Sequence, residues 1–148
     1  MVVDQNFPKV KKYFLSIILI IFFYSNSFSE DYKFTKIVKL KGAWSASFIN
    51  NDEIITTIKD GSIKIVNIYS KDILNVKHNL NFLVHGQGGL LDIIHDNKNL
   101  WISYTEDRGD WKTSTSIAKA RLNKNKLNFK NIFQAEPPID SGYHFGSR

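Results

Sequence analysis

The most constraining feature of this sequence is a pattern of short β-type runs that recurs after 46 residues, since residues 48–55 align by residue class with residues 94–101. The runs are rich in Ile, Val, Thr and aromatic residues and cover 32–40, 44–49, 53–58 and 62–67, then 90–94, 100–104, 116–122 and 127–133. Units of four strands that recur at roughly 40–50 residues are typical of propeller blades. The sequence therefore predicts an all-β fold with about two blades of a β-propeller. A β-sandwich is the alternative, because it has similar strand spacing.

A turn signal separates two of the runs. Asp60 and Gly61 lie between residues 53–58 and 62–67. Both central residues of a type I′ turn need a positive φ, which Gly adopts freely and Asp tolerates. We therefore predict a hairpin with a type I′ turn at this pair.

The N-terminal residues have the composition of an export signal. A lysine-rich stretch at 9–12 precedes twelve largely apolar residues, 13–24, and small residues follow at the spacing of a cleavage site. A helix that crosses a membrane needs roughly twenty such residues. We expect residues 1–29 to be a signal peptide and residues 30–148 to act in the periplasm or outside the cell. An uncleaved N-terminal anchor is the alternative.

Charge and composition exclude several classes of protein. Residues 1–29 hold three lysines and one aspartate, so without them the net charge falls from +6 to +4. The remaining lysines are scattered among Asn and Asp, which argues against nucleic-acid binding. The chain has no cysteine, which excludes disulfides, thiolate metal sites and a cysteine nucleophile.

Four motifs carry a resemblance to a known family. Residues 85–92 read HGQGGLLD and residues 142–148 read GYHFGSR, after AWSASF at 43–48 and KDGSI at 59–63. In this order they resemble the opening motifs of the soluble quinoprotein glucose/sorbosone dehydrogenases, from about residue 40 to residue 148. The resemblance implies a six-bladed propeller with pyrroloquinoline quinone (PQQ) and calcium in its central pocket. It also implies oxidation of the anomeric C1 hydroxyl of an aldose to a lactone, with electrons passed to an external acceptor.

His144 is the candidate catalytic base. An imidazole with a pKa near 6.5 suits removal of a hydroxyl proton around neutral pH, and by resemblance the histidine of this motif is the general base beside the quinone. The alternative is a turn histidine that bonds only to nearby backbone. Gln87 is the second candidate, because its flanking glycines allow close backbone approach and its amide can both donate and accept hydrogen bonds. The alternative for Gln87 is a solvent-facing loop residue.

The remaining polar and aromatic residues have mostly structural interpretations. Three further histidines lack the spacing of a metal site; they are His78, His85 and His95. Three tryptophans are expected in the core or between blades, the last of them being the one expected to face a pocket; they are Trp44, Trp101 and Trp111. Asp140 is a candidate for substrate contact at the mouth of the site. Tyr143 stands where some glucose-oxidising members carry an acid, which leaves the preferred sugar open.

Two blades cannot surround a central channel, so we expect the chain alone to be unstable and inactive. By resemblance, the residues that hold the quinone carboxylates and calcium come from later blades, and no metal ligand is expected here. The main interpretation is the N-terminal portion of an exported aldose dehydrogenase. The alternative is a non-catalytic propeller module that binds carbohydrate or a protein partner.

Overall fold

Nine β-strands make up the regular structure of the residues described by the computed structural model, which are 32–143 and 145–146. The chain divides into two units, Met1–Thr35 and Lys36–Arg148, and the nine strands lie in the second. They are β1 (Ala43–Phe48), β2 (Glu53–Ile58), β3 (Ile63–Asn67), β4 (Ile73–His78), β5 (Leu90–His95), β6 (Asn99–Asp107), β7 (Thr113–Arg121), β8 (Lys126–Leu127) and β9 (Lys130–Gln134). Within these described ranges no helix could span a membrane. The all-β prediction is confirmed.

The strands form two sheets that follow one another along the chain. The first sheet has the order β1-β2-β3-β4-β8 and the second has the order β5-β6-β7-β9. Each contains four strands in an antiparallel meander, which is the form of a propeller blade. β8 is the exception. It lies in the connection between β7 and β9 of the second sheet, and it pairs in parallel with β4 at the edge of the first sheet.

The core lies between the two sheets. Alternate residues along each strand face the same side, and most of those facing inward are aliphatic or aromatic. The largest fully buried side chains include Ile55 and Ile65 from the first sheet and Leu90, Ile102 and Tyr104 from the second. Burial of such side chains stabilises the fold by about 1.5–3 kcal/mol each.

Hydroxyl groups also connect the sheets. Thr57, fully buried on β2, donates its Oγ1 proton to the carbonyl of Leu91 at 2.6 Å. On β1, Ser45 bonds to the carboxylate of Asp92, and Ser47 Oγ accepts from the amide of His95 at 3.0 Å. Three side chains of the first sheet therefore hold the first strand of the second sheet.

The repeat of 46 residues is present in the structure. The β1–β2 turn and the β5–β6 turn have the same internal hydrogen bond: Asn50 Oδ1 accepts from the amide of Asp52 at 2.8 Å, and Asp96 Oδ1 accepts from the amide of Lys98 at 3.0 Å. Both donors and both acceptors are 46 residues apart. The second blade therefore repeats the first in its turn chemistry as well as in its strands.

The Asp60–Gly61 hairpin is confirmed, but its predicted turn type is wrong. Gly61 has a φ of 98°, whereas Asp60 is not among the residues with positive φ. The amide of Gly61 donates to the carbonyl of Ile58 at 3.0 Å, and the amide of Ile58 donates to the carbonyl of Ser62 at 2.8 Å. This pattern is a three-residue loop in which a left-handed glycine follows a tight turn. Asp60 instead uses its carboxylate to accept from the amide of Ser62 at 2.8 Å.

Two strand predictions also differ from the structure, and one strand has no predicted counterpart. Residues 32–40 contain no strand. Phe34 in this stretch is 98% exposed, so its ring is not packed in the core. The predicted run 127–133 is interrupted because the Asn79 side chain holds the amide and the carbonyl of Phe129, at 2.7 and 3.1 Å. β4 was not predicted, because it lies toward the sheet edge and only Val76 among its residues is buried.

Asp96 is expected to make stability depend on acid pH. Its carboxylate accepts from Trp101 Nε1 at 2.7 Å and from the amide of Asn99 at 2.6 Å, and these bonds hold its pKa well below the usual range. Stability from a lowered carboxyl pKa is present above the unfolded value near 3.9 and is lost as pH falls through the folded value. Asp96→Asn should therefore lower Tm at pH 7 and reduce the further loss below about pH 4.

The measurement is Tm between neutral and strongly acid pH. Asp52→Asn, at an exposed aspartate of the equivalent turn in the first blade, is the control and should change neither quantity. An Asp96→Asn protein with the wild-type acid profile would contradict the assignment.

Candidate active site

Four connecting segments gather at one end of the two sheets. They are 59–62 between β2 and β3, 79–89 between β4 and β5, 108–112 between β6 and β7, and 135–143 after β9. Direct contacts join them: Asn81 Nδ2 donates to the carbonyl of Asp107 at 3.1 Å, and the amide and carbonyl of Thr113 pair with those of Ile139 at 2.9 Å. All four sequence motifs reach this end, the first of them because β1 begins there with Ala43 paired to Ile58.

The two glycine-containing motifs, 85–92 and 142–148, meet there through their backbones. The amide of Gln87 donates to the carbonyl of Gly142 at 2.7 Å, and the amide of Gly88 closes a turn onto the carbonyl of His85 at 2.8 Å. The motifs are more than fifty residues apart in the sequence, and this hydrogen bond joins them directly.

Gly86 is required at this contact. Its φ is 57°, and a Cβ built there would lie 2.2 Å from the carbonyl oxygen of Gly142 and 2.8 Å from its Cα. Real Cβ atoms do not approach backbone so closely, and neither backbone can move without breaking the bond to Gln87. Gly86, one of the glycines that flank Gln87 in the sequence, is therefore required for a steric reason.

Gly89 joins the same loop to the first blade. Its φ is 133°, and a Cβ there would lie 2.3 Å from the carbonyl oxygen of Lys59. On its other side, the amide of Thr105 donates to the carbonyl of Gly89 at 2.9 Å. The loop that carries Gln87 is thus held by both sheets at the point where β5 begins.

The structure places one predicted site residue and the surroundings of the other. Gln87 is exposed at the gathered end. His144 lies outside the described residues, but its neighbours are anchored: Gly142 contacts the Gln87 loop, and the carbonyl of Phe145 accepts from Thr115 Oγ1. Phe145 is only 8% exposed. The segment on which His144 is carried is therefore fixed at both of these points.

Two residues at this end were not singled out as site residues from the sequence. The Nδ1 atom of His85 is buried and has no hydrogen-bond partner in the described part of the chain. Its ring lies against Gly142 and meets the ring of Trp111 edge-on, with centroids 6.4 Å apart. Orphaned buried polar atoms are rare in native proteins. Sequence reasoning assigned His85 no role because nothing in its spacing indicates a contact with residue 111.

The predicted core position is wrong for two of the three tryptophans. Trp44 is 48% exposed and Trp111 is 69% exposed, so neither is a core residue. Trp101 is half-buried on the sheet surface, where Lys119 Nζ lies 4.5 Å from its ring centroid. Trp111 was expected to face a pocket, and it stands beside His85 at the gathered end instead of lining an enclosed cavity.

The other polar candidates do not form a cluster. Among the described residues, no three His, Cys, Asp or Glu side chains group so as to hold a metal ion. His78 contacts backbone instead of another ionisable side chain, with its Nε2 2.7 Å from the carbonyl oxygen of Gly61. Asp140 is exposed, and Tyr143 is 61% exposed within the second motif.

A cavity of about 410 Å³ lies on the second sheet. Its lining includes Ile94, Trp101 and Ile117 and is mostly apolar. By strand alternation these side chains point away from the core residues Leu100 and Ala118. An apolar sheet surface of this kind does not suit a sugar, which needs several hydrogen-bonding groups.

Comparison with known proteins matches this arrangement to one family. The family described as Glucose / Sorbosone dehydrogenase matches residues 40–148. The chain belongs to this family. The resemblance of the four motifs to glucose/sorbosone dehydrogenases is thereby confirmed.

Individual relatives agree. Over 119 residues the chain is 27% identical to the aldose sugar dehydrogenase YliI of Escherichia coli strain K12, which covers 74% of the chain and 32% of YliI. The apo structure of the soluble aldose sugar dehydrogenase of Escherichia coli matches with a TM-score of 0.66 and 26% identity, over 72% of the chain and 33% of that protein. The chain therefore spans about a third of the length of these glucose/sorbosone dehydrogenase relatives.

The fold comparison extends to a more distant member. A PQQ-bound aldose sugar dehydrogenase from Streptomyces coelicolor matches with a TM-score of 0.61 at 14% identity, over 71% of the chain and 34% of that protein. This likeness concerns the fold. Together the matches confirm that the two sheets are blades of a partial propeller and not the halves of a β-sandwich.

Proposed function

We propose that this chain is the N-terminal portion of an exported, PQQ- and calcium-dependent dehydrogenase that oxidises the C1 hydroxyl of aldose sugars to lactones. The observation that carries the proposal is the hydrogen bond from the amide of Gln87 to the carbonyl of Gly142. It joins the two motifs on which the predicted substrate-binding and proton-accepting residues stand. Membership of the family and the sugar dehydrogenases among the relatives support it.

His144 is proposed to take the proton of the C1 hydroxyl. As C1 becomes a lactone carbonyl, the hydroxyl proton passes to the imidazole and the C1 hydrogen leaves with two electrons. Imidazole has a suitable basicity near neutral pH. PQQ, when bound, supplies the acceptor for these two electrons. An external electron acceptor then receives them.

Gln87 is proposed to orient the sugar or the quinone. Its side-chain amide can donate and accept, and its own peptide is fixed by Gly142. Fixing the backbone reduces the positional freedom of the side chain, and orientation of a reactant is a large part of catalysis.

Gln87 is the described residue proposed to contact the cofactor. The close backbone contact between Gly86 and Gly142 holds the loop that carries it, and the Gln87 side chain is exposed. Its amide could hydrogen-bond to a quinone oxygen. Calcium ligands and basic partners for the quinone carboxylates are proposed to lie outside the described residues. Residues 1–29, which carry the proposed export signal, also lie outside them.

Reconstitution tests this function. The protein is expressed from its whole reading frame, stripped of cofactors, and assayed for sugar-dependent reduction of a redox dye. We expect turnover of aldoses only when PQQ and Ca²⁺ are both added, with the lactone as product. NAD or NADP in place of PQQ is the control and should give no turnover. A protein that reduces no dye with PQQ, Ca²⁺ and any aldose would contradict the proposal and favour a non-catalytic binding module.

A further inference from the structure

Two threonines stand directly opposite each other on neighbouring strands of the second sheet. Thr105 of β6 pairs with Thr115 of β7 in the antiparallel register. The side chains of two opposed residues lie on the same face of a sheet, with their Cβ atoms about 4.5–5.5 Å apart. Ser103 and Thr115 line the cavity on the second sheet, so by strand alternation both threonines belong to the face that carries this cavity. Two hydroxyl groups are therefore presented side by side.

Thr105 holds the loop that carries Gln87. Its side chain is fully buried, and its Oγ1 accepts from the amide of Gly89 at 3.2 Å. Its own amide donates to the carbonyl of Gly89 at 2.9 Å. The loop also packs against this side chain, since a Cβ at Gly88 would lie 2.9 Å from Thr105 Oγ1 and 3.1 Å from its Cγ2. One threonine therefore bonds to both backbone groups of Gly89, two residues after Gln87.

Thr115 holds the motif 142–148. Its Oγ1 donates to the carbonyl of Phe145, and its carbonyl accepts from the amide of Ala135 at 2.9 Å. Gly146 lines the same cavity as Thr115, so this segment lies along the face that carries the two hydroxyls. Phe145 directly follows His144 in the sequence. Thr115 therefore fixes the second motif at the residue after the proposed base.

The two hydroxyls have opposite hydrogen-bonding roles. Thr105 Oγ1 accepts from an amide of one motif, whereas Thr115 Oγ1 donates to a carbonyl of the other. A hydroxyl can do both, and a valine side chain of the same shape can do neither. Neither bond belongs to the backbone ladder between β6 and β7, so strand pairing alone does not require threonine at these positions. Both motifs are thus bound to one cross-strand pair, and the bond from Gln87 to Gly142 joins them to each other.

We infer that Thr105 and Thr115 are positioning residues for the proposed sugar oxidation. Together they hold the motifs 85–92 and 142–148 in the relative position at which the amide of Gln87 reaches the carbonyl of Gly142. Neither hydroxyl contacts the sugar or the quinone. Their effect on the rate comes from the orientation of the residues that do, which is a large part of catalysis. This inference rests on the proposed function.

The test has two readouts, the hydrogen exchange rate of the Gln87 amide and the steady-state kcat/KM for an aldose, both with the protein expressed from its whole reading frame. Thr105→Val and Thr115→Val should each raise that exchange rate by about 3–10-fold, the size expected when a local opening has one neutral hydrogen bond fewer to break. We expect kcat/KM to fall by a similar factor. Thr105→Ser and Thr115→Ser keep Oγ and should restore both quantities to within about twofold of the wild type.

Two controls separate positioning from general stability. Thr56 is 2% exposed, and its Oγ1 donates to the carbonyl of Ser45 at 2.7 Å within the first blade. Thr56→Val should leave the Gln87 exchange rate and kcat/KM within about twofold. In a Gly86→Ala background the new Cβ already separates the two motifs. There the valine substitutions at Thr105 and Thr115 should change either quantity by less than about twofold, because the contact through which they act is absent.

The outcomes distinguish this inference from the proposed function. Wild-type exchange at Gln87 in both valine variants would overturn the inference. Equal losses in Thr56→Val, or undiminished losses in the Gly86→Ala background, would also overturn it, since they would report a general effect on stability. A wild-type protein that oxidises no aldose, but whose Gln87 exchange still depends on the two hydroxyls, would overturn the proposed function and leave the two threonines as the support of the motif contact.

Discussion

Replacing His144 by alanine is expected to lower kcat for aldose oxidation by about 10²–10⁴-fold, the usual contribution of a positioned general base. Without the imidazole, the C1 hydroxyl must lose its proton to water. KM should change little, because the sugar is held by other groups. The measurement is steady-state dye reduction by the PQQ- and Ca²⁺-loaded protein expressed from its whole reading frame.

The control is His95→Ala. His95 ends β5 at the far end of the strand from the Gln87 loop, where its amide donates to Ser47 Oγ and it pairs with Leu100 of β6. It should retain kcat within about twofold. A wild-type rate in His144→Ala would exclude His144 as the base and favour the turn-histidine interpretation. In the wild type, kcat/KM should fall as pH drops through an imidazole pKa near 6.5, and His144→Ala should lose that step.

Gly86→Ala is expected to have the second largest effect. The new Cβ would lie 2.2 Å from the carbonyl oxygen of Gly142, so the two motif segments must separate and the 2.7 Å bond from Gln87 must lengthen or break. We expect a loss of about 2–4 kcal/mol in the free energy of unfolding. We also expect at least about a 10²-fold loss of kcat/KM, because a displacement of about 1 Å can misplace the catalytic groups to that extent.

Gly109→Ala provides a control for backbone strain alone. Gly109 also has a positive φ, of 81°, but a Cβ there would meet no atom within 4 Å. Its substitution should cost only about 1 kcal/mol and leave kcat/KM nearly unchanged. The difference between the two variants, measured by denaturant unfolding and by kinetics, reports the close approach of Gly86 to Gly142. Equal losses in both variants would show that the positive φ, and not the close approach to Gly142, explains the glycine at position 86.

Most of the fold could be predicted because its strands are runs of β-branched and aromatic residues that turn residues separate. β2 and β3 follow the expected runs 53–58 and 62–67 closely, β6 extends beyond the run 100–104, and the 46-residue repeat predicted about two blades. What failed depended on tertiary contacts. The break at Phe129 is caused by the side chain of Asn79, fifty residues away, which no local pattern indicates. β4 buries little, so it carried little periodic signal.

The site was predictable where backbone geometry restricts residue type. Gly86 is visible in the sequence because a Cβ at that position would overlap the backbone of Gly142. The contact between His85 and Trp111 could not be predicted, for the opposite reason, although Trp111 was expected to face a pocket. Their association is set by the loop between β6 and β7 folding back over the segment before β5, and neither a positive φ at residue 111 nor an unpaired nitrogen can be recognised from residue type.

The short strand β8 affects how the two blades unfold. It belongs by sequence to the second blade but pairs with β4 of the first. The Asn79 side chain accepts a hydrogen bond from the amide of Phe129, which follows β8 in the chain. This strand pairing adds a non-covalent link to the covalent connection through residues 79–89. Separating the blades requires breaking the β4–β8 pairing and the bonds between Asn79 and Phe129, so local opening of one blade should expose amides in the other. In hydrogen exchange the two sheets would then behave as a single cooperative unit.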